Sequence, residues 1–454
     1  MFHLSRLATR LANSNIAVQE TNQLYGRYVT GQFYSYSDAE RIKAMVSALA
    51  VMTERDRPFT RLVFSAEYKE ARGWLQTQFE QVGLQCQIDA GGNLIGTRKT
   101  PNTAEPSRKL IIGSHIDTVA AGGRFDGIAG VIAGLETIHF LNKQAIDLPF
   151  DIEIVDFLGE ELNVWGTSCL GSRYMAGLLS DELLARSDQN GRLLRDEIEK
   201  MGGAGIAATV PRQDADKIIA CLELHIEQSS RLEREGIDIG IVTDIPGISR
   251  YTISVCGSAG HSGTTRMQER KDALVTASQV VTKIRDFALE ISEQDNGHFV
   301  ATVGRVEVYP NGAAIIPGHV SMIMDLRASN EKSRDRFLGN LKAACNGISH
   351  TESCAIGIEP TSYASVALMD SSLRTHFARS AEAIGLSHTS IASGAGHDMA
   401  HMSRIAPAAM IFIPCKDGLS HCPEEFATPE AIAKGSAVVT CTVLTLAGQS
   451  VWNA

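Results

Sequence analysis

Leu110-Ile111-Ile112-Gly113-Ser114 is an apolar run short enough for a buried strand, and it passes directly into His115-Ile116-Asp117. A glycine-rich loop follows, Gly122-Gly123-Arg124-Phe125-Asp126-Gly127, and then a mostly apolar segment, Ile128 to Phe140, long enough for a buried helix. A second strand, Asp151-Ile152-Glu153-Ile154-Val155-Asp156-Phe157-Leu158, ends in Gly159-Glu160-Glu161. Imidazole and carboxylate side chains thus gather at two strand ends, where open α/β sheets place their ligands. The stretch reads as a metal site.

The residue types fit that chemistry. A hard or borderline divalent ion takes imidazole nitrogen and carboxylate oxygen, and a ligating His needs a carboxylate behind it to fix its tautomer. In an extended segment His115 and Asp117 share a face, so Asp117 can orient the His115 ring. Asp126, on a loop made flexible by Gly122, Gly123 and Gly127, is placed to bridge two ions. Glu160 and Glu161 would point to opposite faces of an ideal strand, so the chain must turn at Gly159 for both to serve. One can then ligate a metal while the other stays free as general base. The plainer alternative is a surface turn and a solvated strand end.

A chain of 454 residues is too long for one compact core, so two domains are expected. Its 44 % hydrophobic and 21 % charged content suit a soluble globular enzyme. A net charge of −10 argues against a nucleic-acid partner, which needs clustered Lys and Arg. No apolar run approaches the roughly 20 residues of a membrane span. The nine Cys are scattered, with no Cys-x-x-Cys pair, and look like reduced thiols of a cytoplasmic protein. Arg6 and Arg10 precede the first acid, Glu20; we read a short surface helix, Leu4 to Ala12, in preference to an organelle transit peptide.

Helices are expected from Ala39 to Met52 and Glu67 to Val82, then a strand pair, Leu84–Asp89 and Leu94–Arg98. Further on, Ile218-Ile219-Ala220-Cys221-Leu222-Glu223-Leu224-His225 is another apolar strand ending in a histidine, followed by Ile226-Glu227-Gln228. His225 would give the cluster a second imidazole, and Glu227 and Gln228 supporting and substrate contacts. Rhythm changes near Thr243. From there strand, helix, two strands, helix and strand (Ser249 to Ser362) make a βαββαβ insertion with antiparallel pairs. A helix from Ser371, the loop Ser393-Gly394-Ala395-Gly396-His397-Asp398, the strand Ala408–Ile413, the loop Gly418-Leu419-Ser420-His421 and a helix capped by Thr428 and Pro429 resume the first domain. The expected division is 1–243 (with 1–38 an N-terminal extension), 244–362 and 363–454.

These motifs resemble the M20 metallopeptidase-like amidohydrolases, hydantoinase/carbamoylase branch, from about Thr60 to the C-terminus. The resemblance is carried by Gly113 to Val119, Gly122 to Gly127, Gly159-Glu160-Glu161, Glu223 to Gln228, Gly260-His261-Ser262-Gly263, Ser393 to Asp398 and Ser420-His421. It implies an α/β, dinuclear-metal exopeptidase-like catalytic domain with an inserted α+β lid and dimerisation domain. It implies two divalent ions per subunit (zinc or manganese, with cobalt or nickel also in range), held by His115, Asp126, Glu161, His225 and His421, with Asp126 bridging. Glu160 would be the base, Asp117 the orienting acid, and His261 the oxyanion stabiliser, reached across a homodimer. Arg327 would grip a substrate carboxylate, beside a pocket lined by Gly394, Gly396 and His397. The implied reaction is metal-dependent hydrolysis of a linear C–N bond in an N-carbamoyl amino acid or related small ureido acid, with loss of ammonia and CO2.

Relatives carry an Asn before their Ile/Val-Pro-Gly segment where this chain has Ala314, with Asn311 as the nearby amide. They also tend to have Gly-Ser-Arg-Phe after the paired Glu, in place of Leu162-Asn163-Val164-Trp165, and Pro in place of Arg266. Loss of one amide donor should weaken carboxylate binding by about 1–3 kcal/mol. The expected substrate therefore lies outside the usual N-carbamoyl-α-amino acids. The rival readings are an M20 aminoacylase or dipeptidase and a non-catalytic binding relative.

Overall fold

The computed structural model describes residues 37–101, 107–294 and 297–448. The Leu4–Ala12 helix expected from sequence lies outside them. The chain divides into two units, the first made of residues 1–243, 369–391 and 397–454 and the second of 244–368 and 392–396.

The first unit carries β1 (Gln85–Ile88), β2 (Leu94–Arg98), β3 (Lys109–Ser114), β4 (Asp151–Asp156), β5 (Ile218–Ile226) and β6 (Ile239–Val242). Two strands that follow the second unit complete its eight-stranded sheet; numbered after that unit's own β7 to β14, they are β15 (His388–Ile391) and β16 (Ala408–Ile413). The order is β1-β2-β4-β3-β5-β16-β6-β15. The centre is parallel: β3 pairs with β4 and β5, and β5 with β16. Central strands need apolar residues on both faces, and β16 is buried throughout. β6 and β15, a parallel edge pair, escape the sequence reading because four-residue strands with Gly240 or Thr389-Ser390 inside show no usable period.

Helix Ile128–Lys143 lies on this sheet, and Gly130 permits the contact, since a Cβ there would fall 2.3 Å from the Leu224 carbonyl. Helix Pro429–Ala447 starts with the Thr428 cap expected from sequence. By length and composition it could cross a membrane, but 67 % of its most apolar window is buried inside the protein, as in a core helix. Strand β4 buries three acids, Asp151, Glu153 and Asp156. Each has a cation: Lys99 at 2.9 Å, Lys109 at 2.6 Å and Arg72 at 2.8 Å, respectively. Only the Arg72–Asp156 pair is buried on both sides, and removing one partner of such a pair costs about 3–5 kcal/mol. None of the nine cysteines forms a disulfide.

The second unit has strands β7 (Asp244–Ile245), β8 (Gly247–Cys256), β9 (Gly260–His261), β10 (Phe299–Tyr309), β11 (Ile315–Ile316), β12 (His319–Ala328), β13 (Ala355–Ala364) and β14 (Ala367–Leu368). Its main sheet, β10-β12-β8-β13, is antiparallel throughout, the order of a ferredoxin-like βαββαβ unit. β12 alternates strictly: Val320, Met322, Met324, Leu326 and Ala328 are buried, and join the core shared with helices Ala273–Gln294 and Glu331–Glu352. β13 runs to Ala364, beyond the expected strand end at Ser362, and Ala367-Leu368 pairs back on Asp244-Ile245. Ala392–Gly396 also belongs to this unit, where Ser393 N–H donates to Asp244 O at 2.9 Å. At the exit and return points of the first unit, Met369 N–H donates to Thr243 O at 3.0 Å.

Candidate metal centre

The cluster forms beyond the C-terminal ends of the parallel strands. His115 follows β3, Glu160 and Glu161 follow β4, His225 is the penultimate residue of β5, and His421 lies on the loop after β16. Gly159 turns the chain at φ +59°, which resolves the problem of two adjacent glutamates facing opposite ways.

Beside a group made by Glu223, His225 and His397, two further groups of three ligand-type side chains result, His115–Asp126–His225 and Asp126–Glu161–His421, each with its ligand atoms within 4.8 Å of one another. Asp126 belongs to both. Its Oδ1 lies 2.9 Å from His225 Nε2 and 3.6 Å from His115 Nε2, and its Oδ2 lies 3.1 Å from His421 Nε2. His421 Nε2 is also 3.2 Å from Glu161 Oε1.

Hydrogen bonds assign the tautomers of the two buried rings. His225 Nδ1 lies 2.9 Å from Ile226 O, so it donates there and leaves Nε2 as the lone-pair atom, which Gly127 N–H also approaches at 3.2 Å. His115 Nδ1 meets Asp117 O at 3.1 Å, and among the described residues its buried Nε2 has no hydrogen-bond partner. A buried imidazole nitrogen left unpaired among carboxylates is what a cation would satisfy. The donor set therefore fits a metal: three imidazole Nε2 atoms and two carboxylates, one shared.

The surroundings hold this geometry. Asp117 stands 3.5 Å from the His115 ring, but its two oxygens accept the backbone N–H groups of Glu160 at 3.2 Å and Glu161 at 3.1 Å. It clamps the glutamate turn as much as it orients the ring. Fully buried Arg61 donates Nε to Ile116 O at 2.7 Å, and Asp156 Oδ1 accepts Ile116 N–H at 3.1 Å. The glycine-rich loop is tight where the sequence suggests flexibility. A Cβ at Gly123 would fall 1.9 Å from the Glu425 carboxyl, and at Gly127, with φ +68°, 2.5 Å from the His115 ring.

Glu160 stands apart from both groups, with Oε2 3.7 Å from His115 Nε2 and Oε1 3.5 Å from the Cys169 thiol. Burial drives its pKa well above the usual carboxylate range; His115 opposes this, and Glu161, Asp398 and Asp117 add to it. For His115, burial acts downward, but the facing carboxylates of Asp117, Asp126 and Glu160 win, and its pKa is well raised. Hydrogen bonds to Asp126 and Glu161 push His421 up to about 11. Asp126 goes the other way: burial is outweighed by its three histidines, which hold it well below the ordinary carboxylate range.

Among the remaining expected residues, Gln228 donates Nε2 to Asp126 Oδ2 at 2.9 Å, and His397 is buried with its ring 4.6 Å from that of His225. In the second unit, Arg327 donates to Asp325 Oδ1 at 3.0 Å and to Gly394 O at 3.1 Å. Gly396 lies in the same loop segment, against Ile248. His261 is exposed, and its Nδ1 accepts Gly263 N–H at 3.0 Å. Asn311 and Ala314 are exposed, and Ala314 O is taken by Ser262 N–H at 3.0 Å. Sequence reasoning passes over Glu425, Glu223, Ser172 and Cys169, all buried within the first unit. Only Glu223, from its place two residues before His225 on one strand face, carries a readable signal.

The signature of Peptidase family M20/M25/M40 matches residues 111–445, a span that includes every one of these candidate ligands. The chain belongs to that family. It is 32 % identical over 404 residues to an N-carbamoyl-L-amino-acid amidohydrolase of Pseudomonas sp. (strain NS671), covering 88 % of this chain and 96 % of the relative. It is 32 % identical over 394 residues to the allantoate amidohydrolase of Bacillus subtilis, covering 86 % and 93 %. A crystal structure of a hydantoinase/carbamoylase family amidase from Burkholderia multivorans superposes with a TM-score of 0.82 at 32 % identity, covering 91 % of this chain and 98 % of that one. The M20 family is metal-dependent, in keeping with the two ligand groups around Asp126.

Proposed function

We propose that this chain is an amidohydrolase that cleaves the linear C–N bond of a small ureido acid, releasing ammonia and CO2. The observation that carries the reading is the pair of candidate ligand groups sharing Asp126, with the buried Glu160 beside them and outside both. His115, His225, Asp126, Glu161 and His421 would hold two divalent ions, zinc or manganese. When bound, such ions lower the pKa of water and polarise the carbonyl of the substrate. Glu160, 3.7 Å from the His115 ring and outside both ligand groups, takes a proton from the attacking water and passes it to the leaving nitrogen. Asp117 keeps the Glu160 backbone in place through the amide it accepts.

In the second unit, Asp325 and Gly394 fix the Arg327 guanidinium, preorganising it for bidentate capture of a substrate carboxylate. His261 is proposed as the donor to the developing oxyanion. Ala314 presents a methyl where relatives present an amide, so the favoured substrate would be bulkier, longer or differently charged than simple N-carbamoyl-α-amino acids. A homodimer formed through the inserted unit and a cytoplasmic location complete the proposal; light scattering of the purified protein tests the first.

The deciding experiment offers ureido acids, N-acyl amino acids and amides with added zinc or manganese, and reads ammonia release. Metal-dependent ammonia from ureido acids is expected. Turnover of N-acyl amino acids without ammonia would replace this reading with an aminoacylase. Simple N-carbamoyl-α-amino acids as best substrates would remove the Ala314 argument.

A further inference from the structure

Glu425 lies four residues beyond His421 and is fully buried, yet it belongs to neither ligand group. Its Oε1 accepts the backbone N–H groups of Phe125 at 2.8 Å and Asp126 at 3.0 Å. Its Oε2 is 2.8 Å from Ser420 Oγ, which in turn is 3.2 Å from Asp126 Oδ2. Gln228 Nε2 donates to that same Asp126 oxygen at 2.9 Å and reaches Ser420 Oγ at 3.2 Å. One carboxyl thus grips the main chain of Asp126 directly and its side chain through a hydroxyl that precedes His421.

Close packing reinforces the grip. The Gly123 backbone passes so near that a methyl would fall 1.9 Å from the Glu425 carboxyl. Next to it, the rings of Phe125 and Phe426 meet edge to face with centroids 5.4 Å apart. The loop bearing Asp126 and the loop bearing His421, about 300 residues apart in the chain, are therefore locked together at one point.

We infer that Glu425 is a positioning residue that presets the shared carboxylate Asp126 and the His421 loop for divalent ions. The inference rests on the metal reading above. Its basis is geometric, and an amide serves as well as a carboxyl: Oε1 still accepts two N–H groups, and an Nε2 donates to Ser420 Oγ. Ser420 has two lone pairs for the Gln228 and residue-425 donors and one proton for Asp126.

The test measures zinc and manganese affinity by competition with a chelating dye, beside the melting temperature of the metal-free protein. Glu425→Ala should weaken affinity by about 10–100-fold, Ser420→Ala by about 3–10-fold, and Glu425→Gln by less than about threefold. At saturating metal, Glu425→Ala should regain most of its kcat with KM for substrate unchanged. A purely structural role would lower melting temperature without moving metal affinity, and that result, or a folded Glu425→Ala with parental affinity, overturns the inference. If Glu425→Ala does not fold, parental affinity in Ser420→Ala overturns it, and weakened Ser420→Ala with intact Glu425→Gln supports it. If the unsubstituted protein takes up neither ion, the metal reading fails and the inference with it.

Discussion

The two sides of Asp126 are built differently. On one side, His115 and His225 stand at strand ends, each 1 % exposed, with Nδ1 fixed by a main-chain oxygen. On the other, His421 sits on a loop with its side chain 47 % exposed and its backbone at φ +57°. The sheet itself sets the first side. The second depends on side chains from three loops meeting correctly, with a strained backbone at the ligand, a common mark of functional sites. Preorganisation that is free in a strand must be supplied by contacts in a loop.

Glu160 belongs to neither side, and replacing it gives the largest effect expected. Glu160→Gln should lower kcat by about 10²–10⁴-fold while metal content, measured by elemental analysis, stays at the parental value. Loss of metal along with activity would move Glu160 into the ligand set. Next, His225→Ala and His421→Ala should each weaken metal binding by about 10–100-fold, but only His225→Ala removes a buried, anchored ring. The metal-free melting temperature should therefore drop more in His225→Ala; equal drops would erase the contrast between the strand side and the loop side.

The loop side should also be the more sensitive to protons. His421 has a folded pKa of about 11, above the ordinary value near 6.5, so at neutral pH an ion competes with a proton held by Asp126 and Glu161. Metal affinity should rise with pH and proton release should accompany uptake, which calorimetry in buffers of different ionisation heat would detect. In the metal-free protein the sign is reversed: the stability contributed by His421 is fully present below about 6.5 and is lost as pH rises through about 11.

A half-buried histidine outside the cluster, His401, marks the opposite limit. Burial, with Arg173 and Arg404 nearby, lowers His401 to about 3. It stays neutral in the folded state while the unfolded chain protonates near 6.5, so stability should fall as pH drops from about 6.5 towards 3. The slope is at most about 1.4 kcal/mol per pH unit. Urea melts at pH 7 and pH 5 should show this, and His401→Gln should flatten it.

Sequence legibility follows the same divide. The strand-side ligands are readable because an apolar run that stops at His115 or His225 puts an imidazole at the ligand-binding end of a buried sheet. Gly159 is readable too, since two adjacent glutamates can turn inward only if the chain bends before them. The family resemblance supplies His421, which no periodicity marks. Glu425 is invisible: in Glu424-Glu425 neither acid differs from the other until the fold buries one of them. Gly123 misleads for a related reason, since the sequence cannot distinguish a glycine that grants freedom from one that makes room. The βαββαβ insertion is legible from strand and helix lengths, whereas β6 and β15 are too short to show a period.

The hydrogen bond from Met369 N–H to Thr243 O has an engineering consequence. The polypeptide leaves the first unit at Thr243 and returns to it at Met369, two hydrogen-bonded neighbours, like a detour whose ramps share one junction. A linker of a few residues could therefore stand in for residues 244–368 without rerouting any strand of the host, leaving only the short segment 392–396 of the guest. The candidate ligands His115, Asp126, Glu161, His225 and His421 all lie in the host, so a chain shortened in this way should keep them in register.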